Sequence, residues 1–336
     1  MQNSNSSKKI LFCQKNGMFK FFNRNIAIQW FIFFGLLLFS IYTIFDKAVV
    51  VYEDNATLLY EYFFHFYSLH PLFVKSIITV MLMLQVSLIQ LFFIKSEVFT
   101  LKNSLFPSCF YLSILLLTKT FEHISPIFFT ILFYTIVISI NYSTSSVRLK
   151  NHVFWSGILI ALATCFDKSS IVLFAMVVST LFINQYFKIK EIAILVFGFL
   201  LVYLYYFAFI FLSDNLHEWL LFEGVRILGG WDTDILFQPE AIISLSGLFV
   251  LYNYYMIRTK LISDSKVVVV RKKIFTLNIW SLLMIACIFI SNSSYPYVLG
   301  YLFVPISAYL AILSQEKNPF FMNEIITIAT LFLLWL

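Results

Sequence analysis

The stretch VFWSGILIALATCFDKSSIVLFAMVVSTLFINQYF, residues 153–187, decides the fold class. It consists of two apolar runs that are interrupted only by Asp167 and Lys168. A helix that crosses a bilayer needs about 20 apolar residues, and about 17 is the lower limit. The segment as a whole is just long enough for a helix that crosses and returns, so it predicts a tight helical hairpin around which the chain is built. We expect Asp167, Lys168 and the two serines after them to form its tip near the membrane interface, and Gly157 to pack against a neighbouring helix.

The composition of the whole chain supports the same class. Hydrophobic residues make up 61% of the 336 residues and charged residues only 12%, whereas a soluble domain carries about 25% charged residues. The formal net charge of +6 lies in the short segments between apolar runs, so it argues for membrane insertion and against nucleic acid as a partner. We therefore predict an all-α, polytopic bundle of transmembrane helices with the lipid bilayer as its surroundings.

Similar apolar runs recur along the chain and predict about eleven spans. A polar tail at 1–25 precedes a single transmembrane domain at 26–336, which has two long loops at 46–71 and 213–238. Besides the two arms of the hairpin, the predicted spans are 26–45, 72–94, 105–118, 126–142, 192–212, 241–257, 274–290, 298–313 and 325–336.

The distribution of basic residues predicts the orientation. Lys and Arg collect on the cytoplasmic side of membrane proteins. With the N-terminus in the cytoplasm and eleven alternating spans, most of the 23 Lys and Arg residues lie inside, and the loops outside the membrane hold only Lys47, Lys119, Lys168 and Arg226. Both long loops then lie on the outer face, where most of the acidic residues are found.

The first outer loop contains the candidate catalytic residues Glu53 and Asp54, which precede an aromatic-rich segment. A carboxylate beside an apolar surface can have a raised pKa and act as a general base. The alternative interpretation is an aromatic belt at the interface, with the acids in water.

The second outer loop contains Arg226, the only arginine outside, as a candidate substrate-binding residue. Its guanidinium suits bidentate binding of a phosphate, and we predict a shared pocket in which it meets Asp54. An ion pair with Glu223 on its own helix is the alternative. Asp232 and Asp234 are candidate ligands for a divalent cation, with a solvated turn as the alternative. No other cofactor is predicted.

At the hairpin tip, Asp167 and Lys168 are read most simply as an ion pair together with a cap for the returning helix. Because they lie so close to the membrane, both remain candidate substrate-binding residues. The middle of each predicted span is almost free of ionisable groups, which disfavours an ion-driven transporter. We expect Gln85, Gln90, Asn253 and Asn278 to hydrogen-bond between helices.

Four segments together resemble an uncharacterised family of polytopic inner-membrane proteins of Bacteroidota, known as a domain of unknown function. They are FKFFNRN at 19–25, SLFPSCFYLSILLL at 104–117, SPIFFTILFYTIVISI at 125–140 and FWSGILIALATCFDKSSIVLF at 154–174. The resemblance covers most of residues 19–212. It implies a location in the bacterial inner membrane and brings no catalytic residues with it.

Three functions remain open at this stage. The first is a non-enzymatic component of cell-envelope assembly that packs against other envelope membrane proteins. The second is a glycosyltransferase that uses a polyprenyl-phosphate sugar at an outward-facing site. The third is a carrier for a neutral or lipidic substrate.

Overall fold

A computed structural model describes residues 25–46, 50–51, 57, 59–60, 70–96, 104–118, 120, 123–124, 126–142, 149–212, 239–264, 268–290, 297–314 and 321–335. In chain order the elements are α1 (Ile26–Asp46), β1 (Val50–Val51), α2 (Pro71–Ser96), α3 (Phe106–Leu117), β2 (His123–Ile124), α4 (Pro126–Tyr142), α5 (Leu149–Phe166), a first 3-10 helix (Lys168–Ile171), α6 (Val172–Ile183), α7 (Ile189–Leu212), α8 (Pro239–Asp264), α9 (Val268–Ile290), a second 3-10 helix (Tyr297–Leu302), α10 (Phe303–Ser314) and α11 (Phe321–Trp335).

Among the described residues the fold is all-helical, as predicted, apart from one short strand pair. β1 and β2 pair in parallel, with Val50 opposite His123 and Val51 opposite Ile124. Every predicted span overlaps a helix, because an uninterrupted apolar run satisfies its backbone hydrogen bonds internally only as a helix.

Four helices within the described ranges are long and apolar enough to cross a membrane: α1, α2, α5 and α7. Two of them are especially exposed, since only 17% of the apolar window of α1 and of α7 is buried. Their outer faces carry large apolar side chains, including Phe31, Leu38, Leu204 and Leu212. Exposed apolar patches of this size are unusual on soluble monomers. The structure thus fits a membrane protein.

The centre of the bundle is α10, not the hairpin that the sequence suggested. All twelve residues of α10 are buried, and its main helical partner is α3, most of which is also buried. The two hairpin arms instead pack chiefly against other helices. Helix α5 lies against α7 and α4, and α6 lies against α9.

The contact between α5 and α7 depends on two glycines. A Cβ atom at Gly157 would lie 2.3 Å from the backbone oxygen of Leu195, and one at Gly198 would lie 2.5 Å from that of Phe154. Both distances are shorter than real Cβ contacts. Only glycine allows the two backbones to approach this closely, and the expected packing of Gly157 against a neighbouring helix is confirmed.

Three of the four predicted polar residues join helices. Gln85 donates to the Phe128 backbone oxygen at 2.9 Å and accepts from the Tyr111 hydroxyl at 2.8 Å, joining α2 to α4 and α3. Gln90 joins α2 to the start of α3, and Asn278 in α9 accepts from Tyr309 in α10. For Asn253 the prediction was wrong, because its exposed amide donates to Phe249 within its own helix.

Candidate functional site

Asp167 forms the turn between α5 and the first 3-10 helix. Its backbone is extended (φ −144°, ψ 118°), and its Oδ1 accepts a hydrogen bond from the Ser169 amide at 3.1 Å. An aspartate just before a helical turn satisfies an amide that would otherwise lack a partner. The predicted capping role of Asp167 is confirmed. Lys168 is half-buried and is the first residue of this 3-10 helix.

The carboxylate of Asp167 also binds a residue from a distant part of the chain. The fully buried Tyr301, in the second 3-10 helix, donates its hydroxyl to Asp167 Oδ2. Ser169 Oγ donates to the same oxygen at 2.8 Å and lies 2.6 Å from the Tyr301 hydroxyl. Behind them, Cys287 Sγ of α9 lies 3.8 Å from the Ser169 backbone oxygen. These four residues are called the Asp167 cluster below.

Two opposing effects act on the pKa of Asp167. Burial raises the pKa of Asp167, because the charged form loses hydration. The hydrogen bonds from Tyr301 and Ser169 oppose this effect by stabilising the carboxylate. The residue as a whole is half-buried.

Two described residues of segment 46–71, Thr57 and Tyr60, lie near this turn. Thr57 Oγ1 donates to the backbone oxygen of Phe166, the last residue of α5, at 3.3 Å. Tyr60 packs edge-on against Phe129, whose ring is stacked on that of Phe166 at 4.9 Å. Thr57 and Tyr60 therefore lie close to the turn that contains Asp167, whereas Glu53 and Asp54 lie outside the described residues.

An apolar cavity of about 320 Å³ lies beside α9 and the second 3-10 helix, the two elements that contribute Cys287 and Tyr301 to the Asp167 cluster. Ile288 and Leu302 line it, and each directly follows a member of the Asp167 cluster, Cys287 or Tyr301. The cavity lies between α8, α9 and α10, and half-exposed or exposed residues of α8 such as Phe249 form its mouth. It therefore opens through an apolar surface.

Neutral hydroxyl groups are the polar part of this cavity. Tyr309 lies 2.7 Å from Ser281 Oγ and donates to Asn278, and Tyr255 lies 2.6 Å from the Thr330 hydroxyl. None of the lining residues is ionisable at neutral pH. Such a lining suits a long apolar molecule with at most a small neutral polar group.

The structure describes two of the seven candidate site residues, Asp167 and Lys168. The others are Glu53, Asp54, Arg226, Asp232 and Asp234, and they lie outside the described residues. The Asp54–Arg226 pocket and the divalent cation site thus stay predictions. Within the described ranges, no group of three His, Cys, Asp or Glu side chains is placed to hold a metal ion.

Sequence reasoning missed Tyr301, Cys287 and the cavity. Tyr301 is one of 19 tyrosines and lies in an apolar run, so nothing in its neighbourhood marks it as the partner of Asp167. The charged residues within apolar sequence were the only local signal, and they pointed to Asp167 and Lys168 without indicating Tyr301.

Comparison with known proteins adds no relative. No protein family matches the chain, and no curated protein or solved structure is significantly similar to it.

Proposed function

We propose that this chain is a multi-pass protein of the bacterial inner membrane that binds a lipidic molecule during cell-envelope assembly. The observation that carries the proposal is the apolar cavity beside the Asp167 cluster. Its walls suit an acyl or prenyl chain, and its mouth opens through the apolar flank of α8, so a lipid can enter sideways from the bilayer. A water-soluble, charged substrate would find no counter-charge there.

The proposed topology is about eleven spans with the N-terminus in the cytoplasm. Contacts at one end of the bundle support the prediction that successive helices run in opposite directions across the membrane. There Val50–Val51 pairs with His123–Ile124, Lys75 at the start of α2 donates to Phe45 at the end of α1 at 3.0 Å, and Tyr301 meets Asp167. All these segments were predicted on the outer side. Their content of Lys and Arg is low, as the positive-inside rule expects of the exterior, and this supports the proposed orientation.

The surroundings of the protein follow from its surface. The exposed apolar faces of α1 and α7 would contact acyl chains of the bilayer. The same faces offer docking area for other envelope membrane proteins of one assembly.

The test of lipid binding is to fill the cavity. Ile285 lines it and is half-buried, so Ile285→Trp would occupy the space of a bound chain. Leu282, on the same helix, is 55% exposed and does not line the cavity, so Leu282→Trp is the matched control. Both variants are purified in mild detergent, and their lipids are identified by mass spectrometry. We expect one lipid class to be enriched with the wild type and the control and to be lost from Ile285→Trp. Equal lipid content in all three proteins would refute the proposal.

A second candidate function, a glycosyltransferase that uses a polyprenyl-phosphate sugar, is favoured by the half-buried carboxyl of Asp167. In that reaction Asp167 would accept the proton of the acceptor hydroxyl as the glycosidic bond forms. The bond between sugar and phosphate breaks, and the lipid phosphate leaves with the bonding electrons. Lys168, the next residue, would balance the charge on the leaving phosphate.

The transferase is tested with Asp167→Asn. Its control is Asp46→Asn, because Asp46 is exposed at the same end of the bundle. The reconstituted proteins are given a polyprenyl-phosphate-linked sugar as donor together with a saccharide acceptor, and transfer of the sugar to the acceptor is followed by mass spectrometry. The transferase requires turnover by the wild type and by Asp46→Asn and its loss in Asp167→Asn. No turnover by the wild type, or full turnover by Asp167→Asn, excludes this role for Asp167.

A further inference from the structure

A second cavity, of about 240 Å³, lies at the opposite end of the bundle. It is formed where α4 and α6 end and α9 begins. Its lining residues are Asn141, Thr180, Asn184, Tyr186, Val269, Lys272, Lys273 and Thr276. In contrast to the first cavity, most of these side chains are polar. We call it the lysine pocket.

The charge of the lysine pocket is positive. Lys272 and Lys273 are half-buried in the second turn of α9, and no acidic residue is among those that line the pocket. Val269 lies in the first turn of α9, where backbone amides lack partners within the helix. The helix macrodipole places additional positive charge at this terminus. The pocket therefore favours an anion.

The hydrogen-bond donors of the pocket fall into two groups. The hydroxyls of Thr180 and Thr276 are already used, because they donate to the backbone oxygens of Met176 and Lys272. In contrast, the side chains of Lys272, Asn184 and Tyr186 make no hydrogen bond within the part of the chain that the structure describes. The residues that line this pocket therefore include an ammonium, an amide and a phenol whose hydrogen-bond donors are available to a ligand.

The floor of the lysine pocket is rigid. Trp280 is fully buried, and its indole nitrogen donates to Thr180 Oγ1 at 2.9 Å and to the Met176 backbone oxygen at 3.0 Å. These two bonds fix α9 against α6 directly beneath the cavity. Thr180 itself lines the pocket, so this contact between α9 and α6 lies at the pocket wall.

We infer that the lysine pocket binds a phosphate group, carried by a lipid headgroup or by a soluble phosphate compound. A phosphate offers several acceptor oxygens to donors that arrive from different directions, and lysine binds it as a point charge. Under the proposed topology this end faces the cytoplasm, where headgroups and soluble phosphates both reach the interface. The site lies at the other end of the bundle from the Asp167 cluster and does not depend on the lipidic cavity.

The test uses the purified full chain and three ligands. Dioleoyl phosphatidic acid carries a phosphate, dioleoylglycerol has the same chains without one, and inorganic phosphate has no chains. Lipid binding is measured by native mass spectrometry and phosphate binding by calorimetry. Lys272→Gln removes one charge from the pocket. Its control, Lys190→Gln, removes one charge from an exposed position at the same end, outside the pocket lining.

We expect phosphatidic acid or inorganic phosphate to bind about tenfold more weakly to Lys272→Gln, the loss that removal of one charged hydrogen bond produces. Binding to Lys190→Gln should equal that of the wild type. Preference for phosphatidic acid over dioleoylglycerol identifies a lipid phosphate, and binding of inorganic phosphate alone identifies a soluble compound. Equal losses in the two variants, or no phosphate binding by the wild type, would overturn the inference.

A measurement on the wild type keeps the test independent of folding. Acetylation of lysines, followed by mass spectrometry, reports the access of reagent to each amine. The phosphate-bearing ligand that binds should protect Lys272 and leave Lys190 reactive. Equal reactivity of Lys272 with and without that ligand counts against the pocket.

Discussion

Replacement of Gly157 by alanine should separate α5 from α7. The added Cβ would lie 2.3 Å from Leu195 O, whereas ordinary van der Waals contact begins at 3.4 Å. The two helices must therefore move apart by about 1 Å at this point, because both of the atoms that collide belong to rigid helical segments. Side-chain rotation cannot relieve a contact with backbone.

The size of the effect follows from the cost of overpacking. Forcing extra volume into a well-packed contact costs about 1–3 kcal/mol. The gain in helix propensity from glycine to alanine recovers at most about 1 kcal/mol. Because the added Cβ collides with backbone, the cost lies in the upper part of that range, and the net result for Gly157→Ala should be a destabilisation of about 1–2 kcal/mol, visible as a lower melting temperature. Gly198→Ala should behave alike, since its Cβ meets Phe154 O at 2.5 Å.

The chain offers a matched control in Gly35, which has no heavy atom within 4 Å of its added Cβ. Gly35→Ala should leave the melting temperature unchanged or raise it slightly. The measurement is thermal unfolding in detergent, followed by the loss of the monodisperse peak in size-exclusion chromatography. The fall in melting temperature of the double variant of Gly157 and Gly198 should be smaller than the sum of the falls of the two single variants, because one separation of the helices relieves both contacts. A wild-type melting temperature for Gly157→Ala, or an equal fall for Gly35→Ala, would refute the reasoning.

Three further predictions concern topology, pH and packing. In intact cells, on a background without native cysteines, Ala56→Cys should react with an impermeant thiol reagent and Asp264→Cys should be protected; the reverse pattern would invert the orientation. Because burial raises the pKa of Asp167, its contribution to stability is greatest below the ordinary carboxyl pKa of about 3.9 and is lost as pH rises through the raised value. The difference in melting temperature between wild type and Asp167→Asn should therefore shift in favour of the wild type on acidification, and a difference that is constant with pH would contradict this. Trp280→Phe removes both hydrogen bonds to α6 and should cost about 1–3 kcal/mol, whereas Trp155→Phe at a 55% exposed position should cost little in the same unfolding assay.

The positions of the helices could be predicted closely from the sequence. The predicted span 126–142 coincides with α4, which begins at Pro126 as a first-turn proline should. Span 192–212 differs from α7 only at its start. The largest difference is α8, which continues to Asp264 although its apolar part ends at residue 257. A helix does not stop where hydropathy falls, because Arg258 and Lys260 are good helix formers in water as well.

The arrangement of the helices could not be predicted in the same way. Lipid and protein core are equally apolar solvents, so hydropathy does not distinguish the lipid-facing α7 from the fully buried α10. A weaker signal was present in α10, where Ser307, Ala308, Ala311 and Ser314 are small, and small residues are typical of helix contacts in membranes. The hairpin at 153–187 attracted attention because two charged residues interrupt its apolar sequence. Such residues indicate a turn between helices and do not indicate which helix lies at the centre of the bundle.

Only the contacts between residues close in sequence could be predicted for the candidate site. The cap at Asp167 depends on Ser169, two residues away, and the sequence contains both. The hydrogen bond to Tyr301 depends on how α9 and the second 3-10 helix fold back onto the turn. Long-range pairs of this kind leave no pattern in a single sequence, and the apolar cavity, which involves three helices, leaves none either.

The late position of α10 in the chain has a consequence for biogenesis. Helix α3 is synthesised long before α10, its principal helical partner. Until then the groove that α10 will fill is occupied by lipid, and the hydroxyl of Tyr309 is not yet present to donate to Asn278. Assembly must therefore include a late step in which α10 packs into the middle of the bundle against helices that were synthesised before it. A chain interrupted before the second 3-10 helix would hold its early helices in the bilayer with their central face open, which is a state that membrane quality-control proteases can recognise.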